Sequence, residues 1–517
     1  MKQTIEYQLE NIFGHTSFKL GQKEIIEDVI NGKDVLGILP TGSGKSVCFQ
    51  LPGLIFGGTT IIVSPLLSLM VDQVKQLKAS GIKDVVAINS MLDPVKRAQV
   101  LENLYKYRLI YISPEMLQNE FILKRLIKLN IKLFVIDEAH CISQWGHEFR
   151  PDYLKIKDII NQLDQPPVLA LSATATEEVQ NDILAILDRP NMKKHIYPID
   201  RKNISLVVED LPDRKAKIDY LIALLKQRKI PTMIYFSSRK EAEQITLILR
   251  EQLDNFSIAY YHGGLEQDER LLIQQQFMKN QLDIICCTSA FGMGINKSDI
   301  RLIIHYHLPT QLESFIQEIG RAGRDGEQCI SIVLYSKNDV QIPRNLFHSE
   351  LPSTDITSGF INSLENLQFN TTNEIEKYVY DFQIFNETQW RFIRYHLEDF
   401  LIIQKDKLDI SSEKLVQFDR FIKVKIEERL KYKHHKLNDL IEWVDHSRCR
   451  REKLYQHFQS NYSQVEEFCC DNCGLALEEW HPKENNKFDG TSLGWKERLR
   501  WVLLQEKNNE SNAERNH

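Results

Sequence analysis

From residue 35 to about residue 186, short apolar runs rich in valine and isoleucine, at 60–63, 133–136 and 168–171, alternate with stretches whose apolar positions recur at helical spacing. Strands that are apolar at every position belong to sheets buried on both faces, so the alternation predicts a parallel sheet covered by helices. A second series follows at 232–236, 258–261, 283–287, 301–305 and 330–335. Near 188–203, Pro190, Pro198 and several charged residues interrupt the pattern, which divides the series into two α/β lobes, 1–200 and 201–343. Beyond Pro343 the strand pattern ends. Thr371 with Glu374, and Asn386 with Gln389, mark two successive helix starts, each a capping residue with a reciprocal partner three positions on. Trp390, Ile393 and Leu397 give the second helix one apolar face. The interval 344–418 is thus expected to be a helical insertion, either a helix-turn-helix or winged helix or an ordinary helical packing. A helical subdomain at 419–480 and a polar tail at 481–517 complete the division.

At 517 residues the chain is too long for one core, and 42% hydrophobic with 26% charged residues is ordinary for a globular protein. The apolar runs fall far short of the roughly 20 residues of a membrane span, and residues 1–10 lack the apolar core of a secretory signal. A cytoplasmic protein without a membrane partner is expected, nucleoid-associated if bacterial. The net charge of −6 argues weakly against a phosphate-rich partner, yet residues 420–453 carry 11 Lys and Arg against 6 Asp and Glu. That run is either a solvated helical face or a surface for a phosphate backbone. Of nine cysteines, Cys48, Cys141, Cys286, Cys287 and Cys329 are scattered and read as buried thiols, whereas four cluster late.

Candidate chemistry begins with Leu39-Pro-Thr-Gly-Ser-Gly-Lys-Ser46 after a short strand. Thr41, Gly42, Ser43 and Gly44 form a loop whose amides can close on phosphates. Lys45 can reach the outer phosphates, and the Ser46 hydroxyl can bind magnesium. The general pattern expects Gly or Ala where Leu39 stands. Asp137-Glu-Ala-His140 follows the apolar run at 133–136, so Asp137 can hold magnesium through its water shell while Glu138 orients and deprotonates the attacking water. Read alone, it is a charged strand-to-helix turn. Gln317-Glu-Ile-Gly-Arg-Ala-Gly-Arg324 offers Arg321 and Arg324 to the γ-phosphate from the second lobe, or else presents surface arginines in a glycine-rich turn. Cys449, Cys469, Cys470 and Cys473 can complete a closed tetrahedral zinc site, with Glu467 or a nearby histidine as a substitute for Cys469.

These motifs, in this order, resemble superfamily 2 helicases from about Phe13 to Tyr335, and several resemble the RecQ family more closely. Cys141-Ile-Ser-Gln-Trp-Gly-His-Glu-Phe-Arg-Pro-Asp-Tyr153 is similar to that family's aromatic-rich loop, which senses single-stranded DNA. Trp145 and Phe149 would supply stacking faces and Arg150 a phosphate or stacking contact. Phe18-Lys-Leu-Gly-Gln22 resembles the adenine-reading motif, with Gln22 facing the base and Lys19 where Arg is usual. Ser172-Ala-Thr174 looks like the coupling motif, and the resemblance also places His140 of the DEAH box among the DNA-binding and coupling residues. Tyr261-His-Gly-Gly264, containing His262, and the glycine-rich segment 290–296 look like second-lobe DNA and nucleotide motifs. The Cys-Arg-Arg start at Cys449 resembles the family's zinc module.

The resemblance implies two tandem RecA-like parallel-sheet lobes followed by a mainly helical zinc-binding C-terminal region. It implies ATP, Mg2+ and Zn2+ as cofactors. It further implies a DNA helicase moving 3′-to-5′ on single-stranded DNA, acting on forked or tailed duplexes in recombination or repair, with repair or single-strand-binding proteins as partners. The departures lie in the C-terminal half. Only 44 residues follow Cys473, too few for the family's winged helix and further helical DNA-binding domain, and an inserted segment near 351–414 is expected to take over some duplex contact. The alternatives are a DNA-stimulated translocase or annealing factor that unwinds poorly, an RNA helicase, and a DNA-binding scaffold with a dead ATPase.

Overall fold

The structure, a computed structural model, describes residues 4–482 apart from 66, 90–91, 144–150, 292–296, 368, 405–406, 460–464 and 466. The first sheet contains β1 (Val35–Ile38), β2 (Thr59–Val63), β3 (Val85–Ile88), β4 (Leu109–Ile112), β5 (Ile131–Ile136), β6 (Val168–Ser172) and β7 (Lys193–Ile196). They run parallel in the order β3-β4-β2-β5-β6-β1-β7. Successive side chains of one strand enter different cores. Leu36, Ile61, Ile110 and Phe134 pack on one face, while Val35, Ile62, Leu109 and Val135 pack on the other. That division is why the strands read as unbroken apolar runs.

The second sheet repeats the plan with β8 (Ile204–Asp210), β9 (Thr232–Tyr235), β10 (Ile258–Tyr261), β11 (Ile284–Cys287), β12 (Leu302–His305) and β13 (Cys329–Tyr335). Its order is β10-β11-β9-β12-β13-β8, again parallel. The chain crosses between lobes at 197–203, within the interval where the apolar pattern breaks.

Three helices, Thr354–Leu367, Thr372–Asp381 and Glu387–Asp399, then precede a small hairpin pairing Ile403 with Leu408 and Gln404 with Lys407. This is the element order of a winged helix. The Thr371 side chain accepts from the Glu374 amide, and Asn386 and Gln389 cap each other reciprocally. Phe360, Trp390, Ile393, Leu397 and Phe418 form a core of their own. The 33-residue helix Ser412–Val444 supplies part of that core from its first half. The boundary expected at 418 therefore falls inside a continuous helix. In its second half, Trp443 packs on Phe315 at 4.7 Å and Lys436 pairs with Glu313 at 2.7 Å, fixing the helix to lobe 2.

The basic run at 420–453 is largely consumed within the molecule. Seven of its eleven cations have carboxylate partners, among them Lys433 with Glu350, Arg450 with Asp471 and Arg451 with Asp200. The expectation of a phosphate-facing surface there gives way to one of internal ties. The cysteine module docks beside β8, where Leu206 bridges Cys470 and the Val208 amide donates to Asp471 at 3.0 Å. No helix among the described residues is long and apolar enough to cross a membrane.

Candidate active site

The phosphate loop leaves the C-terminal end of β1, the usual ligand-binding end of a parallel sheet. Gly42 and Gly44 have φ of 80° and 74°, a left-handed backbone that glycine adopts without strain. Two residues upstream in the chain hold the loop. The Gln22 amide donates to the Ser43 and Gly44 carbonyls at 2.9 and 3.0 Å, and Lys19 Nζ donates to the Gly42 carbonyl at 3.2 Å. Gln22 Oε1 accepts from the Lys19 amide at 2.9 Å. The groups expected to read a base thus brace the loop, and contact with a base would exchange those bonds.

Asp137 ends its strand with its amide bonded to Val63. Lys45 Nζ lies 3.6 Å from Glu138 Oε1, so the lysine of the loop and the acid of the DEAH box share one site. Glu138 sits at φ 49°, a conformation non-glycine residues seldom adopt, and its amide donates to Asp137 Oδ1 at 3.0 Å. Burial, with the Glu138 charge beside it, pushes the Asp137 carboxyl up to about 6. A divalent cation would hold such a buried acid ionised, so the pair with Ser46 suits magnesium. His140 Nδ1 is 2.9 Å from the Ser172 hydroxyl and 3.4 Å from Glu138 Oε2, and the Thr174 amide donates to Ser172 Oγ at 3.3 Å. His140, Ser172 and Thr174 are buried, forming a link from the acid to the end of β6.

Lobe 2 brings the helix Leu312–Ile319 and the turn after it onto the phosphate loop. The Thr41 hydroxyl donates to the Gly320 carbonyl at 3.0 Å, and a β-carbon on Gly42 would lie 3.3 Å from Arg324 Cγ. Burial, with Arg321 and Arg201 alongside, pulls the Arg324 guanidinium down to about 10. Lys19, Gln22, Lys45, Asp137, Glu138, Arg321 and Arg324 line one cavity of about 600 Å³ that also reaches Thr41, Gly42, Gly44, Ser46 and Gln317.

Arg201 was missed by sequence reasoning. Its guanidinium donates to the carbonyls of Gly320, at 3.0 Å, and Gly323, which ties the linker to the arginine turn. In sequence it is one charge in an irregular segment, with no signal to single it out. Trp145, Phe149 and Arg150 lie outside the described residues, as do 292–296. His262 is buried, with Nε2 donating to Glu243 at 2.7 Å and Nδ1 accepting from the Gly264 amide at 3.2 Å. Its ring shapes the glycine turn rather than facing outward.

The four late cysteines converge. Their sulfurs lie within 4.8 Å of one another, and Cys449 Sγ is 3.7 Å from Cys469 Sγ. A tetrahedron with zinc–sulfur bonds of about 2.3 Å has edges of about 3.8 Å, so the spacing fits zinc. The Arg450 amide donates to Cys470 Sγ at 3.4 Å, as an outer partner to a metal thiolate does.

Two family models match the chain, the DEAD/DEAH box helicase over residues 19–182 and the helicase conserved C-terminal domain over 216–326. The chain is 40% identical to the probable ATP-dependent DNA helicase RecS of Bacillus subtilis over 481 residues, covering 93% of this chain and 94% of that protein. The chain belongs to the RecQ helicase family. It is 39% identical to the ATP-dependent DNA helicase RecQ of Haemophilus influenzae over 340 residues, 65% of this chain but 54% of the relative, so this RecQ helicase spans about half of that longer protein. Among solved structures, Mycobacterium smegmatis helicase Lhr bound to single-stranded DNA and AMP-PNP has a TM-score of 0.54 at 20% identity over 65% of this chain and 48% of that one, a likeness of fold.

Proposed function

We propose that this RecQ-type helicase hydrolyses ATP between its lobes to move 3′-to-5′ along single-stranded DNA, opening tailed or forked duplexes in recombination or repair. The observation that carries the reading is the single cavity in which Lys45, Asp137 and Glu138 of lobe 1 face Arg321 and Arg324 of lobe 2. Bound ATP with magnesium supplies the scissile phosphoanhydride and the charge that Ser46 and Asp137 orient. Glu138 takes the proton of the attacking water, while Lys45 and the two arginines offset charge on the γ-phosphoryl oxygens. Because those charges come from both lobes, hydrolysis depends on their apposition, and the cleft's cycle becomes movement. His140 and Ser172 relay the state of the acid toward the DNA side. Trp145, Phe149 and Arg150 act as the DNA-sensing contacts, zinc occupies the four-cysteine site, and repair or single-strand-binding proteins are the partners.

A second reading, a DNA-stimulated translocase with weak unwinding, is favoured by the charge of the insert. Residues 351–414 carry 11 acidic and 6 basic residues, a net of −5. Arg391 and Arg394 on the helix Glu387–Asp399 already pair with Glu387, Glu376 and Glu398. Such a surface is poorly suited to gripping a duplex. Strand separation on matched 3′-tailed and 5′-tailed duplexes, with Lys45→Ala as control, tests both readings. Opening of the 3′-tailed substrate alone supports the helicase. Stimulated hydrolysis without opening supports the translocase, and opening of the 5′-tailed substrate overturns the polarity.

A further inference from the structure

Among the described residues, the helix Glu387–Asp399 of the insert meets lobe 1 at the turn Pro151–Lys155. The contact is chemically specific. Glu398 on the helix Glu387–Asp399 spends one carboxylate oxygen on Arg394 at 3.0 Å and the other on Lys155 of lobe 1. From the opposite side the Gln118 amide donates to the Asp152 carbonyl at 2.9 Å and to its carboxylate at 3.3 Å. Between these two contacts along the turn lies Tyr153, fully buried, whose hydroxyl donates to the main-chain carbonyl of Asp137 at 3.3 Å. Glu398 is thus joined to Lys155, Lys155 shares the turn Pro151–Lys155 with Tyr153, and Tyr153 reaches the DEAH box.

The other end of the path is lobe 2. The helix Ser412–Val444 contributes Leu415, Phe418, Ile422 and Ile426 to the insert's core, then continues as one rigid rod to Trp443 against Phe315 and Lys436 against Glu313. Phe315 and Glu313 belong to the helix that leads into Arg321. The insert is thus built onto the helix that leads into the arginine turn of one lobe and rests on the turn that bonds to Asp137 in the other, outside the ATP cavity.

We propose that the insert is a positioning brace, in which Glu398 and Lys155 set the placement of Tyr153 on the Asp137 carbonyl according to how lobe 2 sits on lobe 1. Its role is to tie DNA-dependent movement of the lobes to the geometry of the acid pair. This rests on the reading of Asp137 and Glu138 as the hydrolytic acids. Lys155 and Glu398 are 40% and 23% exposed, so the pair is an adjustable contact rather than a structural anchor. Glu398→Lys would set a third cation against Lys155 and Arg394.

The test is ATPase activity of full-length Glu398→Lys, Tyr153→Phe and the double variant, with and without single-stranded DNA, alongside thermal melting and Lys45→Ala. Glu398→Lys is expected to lower the DNA-stimulated kcat by roughly fivefold, the factor for about 1 kcal/mol, leaving the DNA-free rate, the KM for ATP and the melting temperature unchanged. Tyr153→Phe is expected to act in the same direction, and the double variant to be no worse than the more impaired single, since both cut one path. An unchanged stimulated rate, an equal fall with and without DNA, or additive losses would overturn the brace. Hydrolysis surviving in Lys45→Ala would instead sink the reading of the ATP site on which it rests.

Discussion

Replacing Arg451 with methionine removes the cation that joins the cysteine module to the segment between the lobes. The side chains of Arg451 and Asp200 are 1% and 4% exposed, and the guanidinium also donates to the Arg201 carbonyl at 3.2 Å and to the Ile204 carbonyl. Methionine roughly preserves the volume, so the loss is electrostatic: one carboxylate and two carbonyls keep their burial and lose their donor. Breaking a buried pair from one side costs about 3–5 kcal/mol, a shift in urea midpoint of about 1–2 M. Burial already pushes the Asp200 carboxyl above its ordinary value against the pull of Arg451, and without the arginine it rises further. A folded state that keeps a proton the unfolded chain releases loses stability as pH rises above the ordinary carboxylate range. The deficit of Arg451→Met is therefore larger at pH 8 than at pH 5. Urea unfolding followed by intrinsic fluorescence at both pH values measures it, with Arg451→Met/Asp200→Leu as the comparison. The double variant, which leaves no buried charge, should recover most of the loss. A single variant within 1 kcal/mol of the parent at pH 8, or a double variant no better than the single, would refute the reasoning.

Gly320→Ala would place a β-carbon 2.9 Å from Thr41 Cβ and 3.0 Å from the Ile316 carbonyl, holding the lobes apart. ATP turnover should fall roughly 10- to 100-fold with melting little changed, and turnover near the parent's would refute the apposition. Cys470→Ser should lower bound zinc, measured by elemental analysis, together with the melting temperature, while full zinc retention would remove Cys470 from the ligand set. His396 is buried beside Phe392 and Phe421, and burial pulls its imidazole down to about 4. Since the unfolded chain takes up that proton first, the insert loses up to about 3 kcal/mol as pH falls from about 6.5 to 4. His396→Phe should flatten the pH dependence of insert unfolding, and a slope unchanged from the parent's would count against the assignment.

The two sheets were legible because each buried strand repeats one local rule along the chain, as Leu36 and Val35 do on their two faces. The phosphate loop and the DEAH box were legible because their chemistry sits on consecutive residues. Arg201, Tyr153 and Glu398 were not, since what they do depends on partners far away in sequence. Lys155 and Glu398 are 243 positions apart, and neither carries a local mark of the other. The basic run at 420–453 misled for the same reason. Charge counted along the chain does not reveal that Glu313, Glu350, Asp200 and Asp471 will arrive from elsewhere to meet it.

The docking of the cysteine module beside β8 also bears on solubility. β8 is an outer strand of the second sheet, and its unpaired amides and carbonyls are a template on which another chain can add a strand. The Leu206 amide is instead bonded to the Cys469 carbonyl, the Ser205 hydroxyl to the Phe468 carbonyl and the Val208 amide to Asp471. A metal held by the four cysteines would order residues 468–473 and so guard the border of a sheet it does not belong to. Losing such a metal would uncover the strand, and the first visible consequence would be aggregation of an otherwise folded helicase.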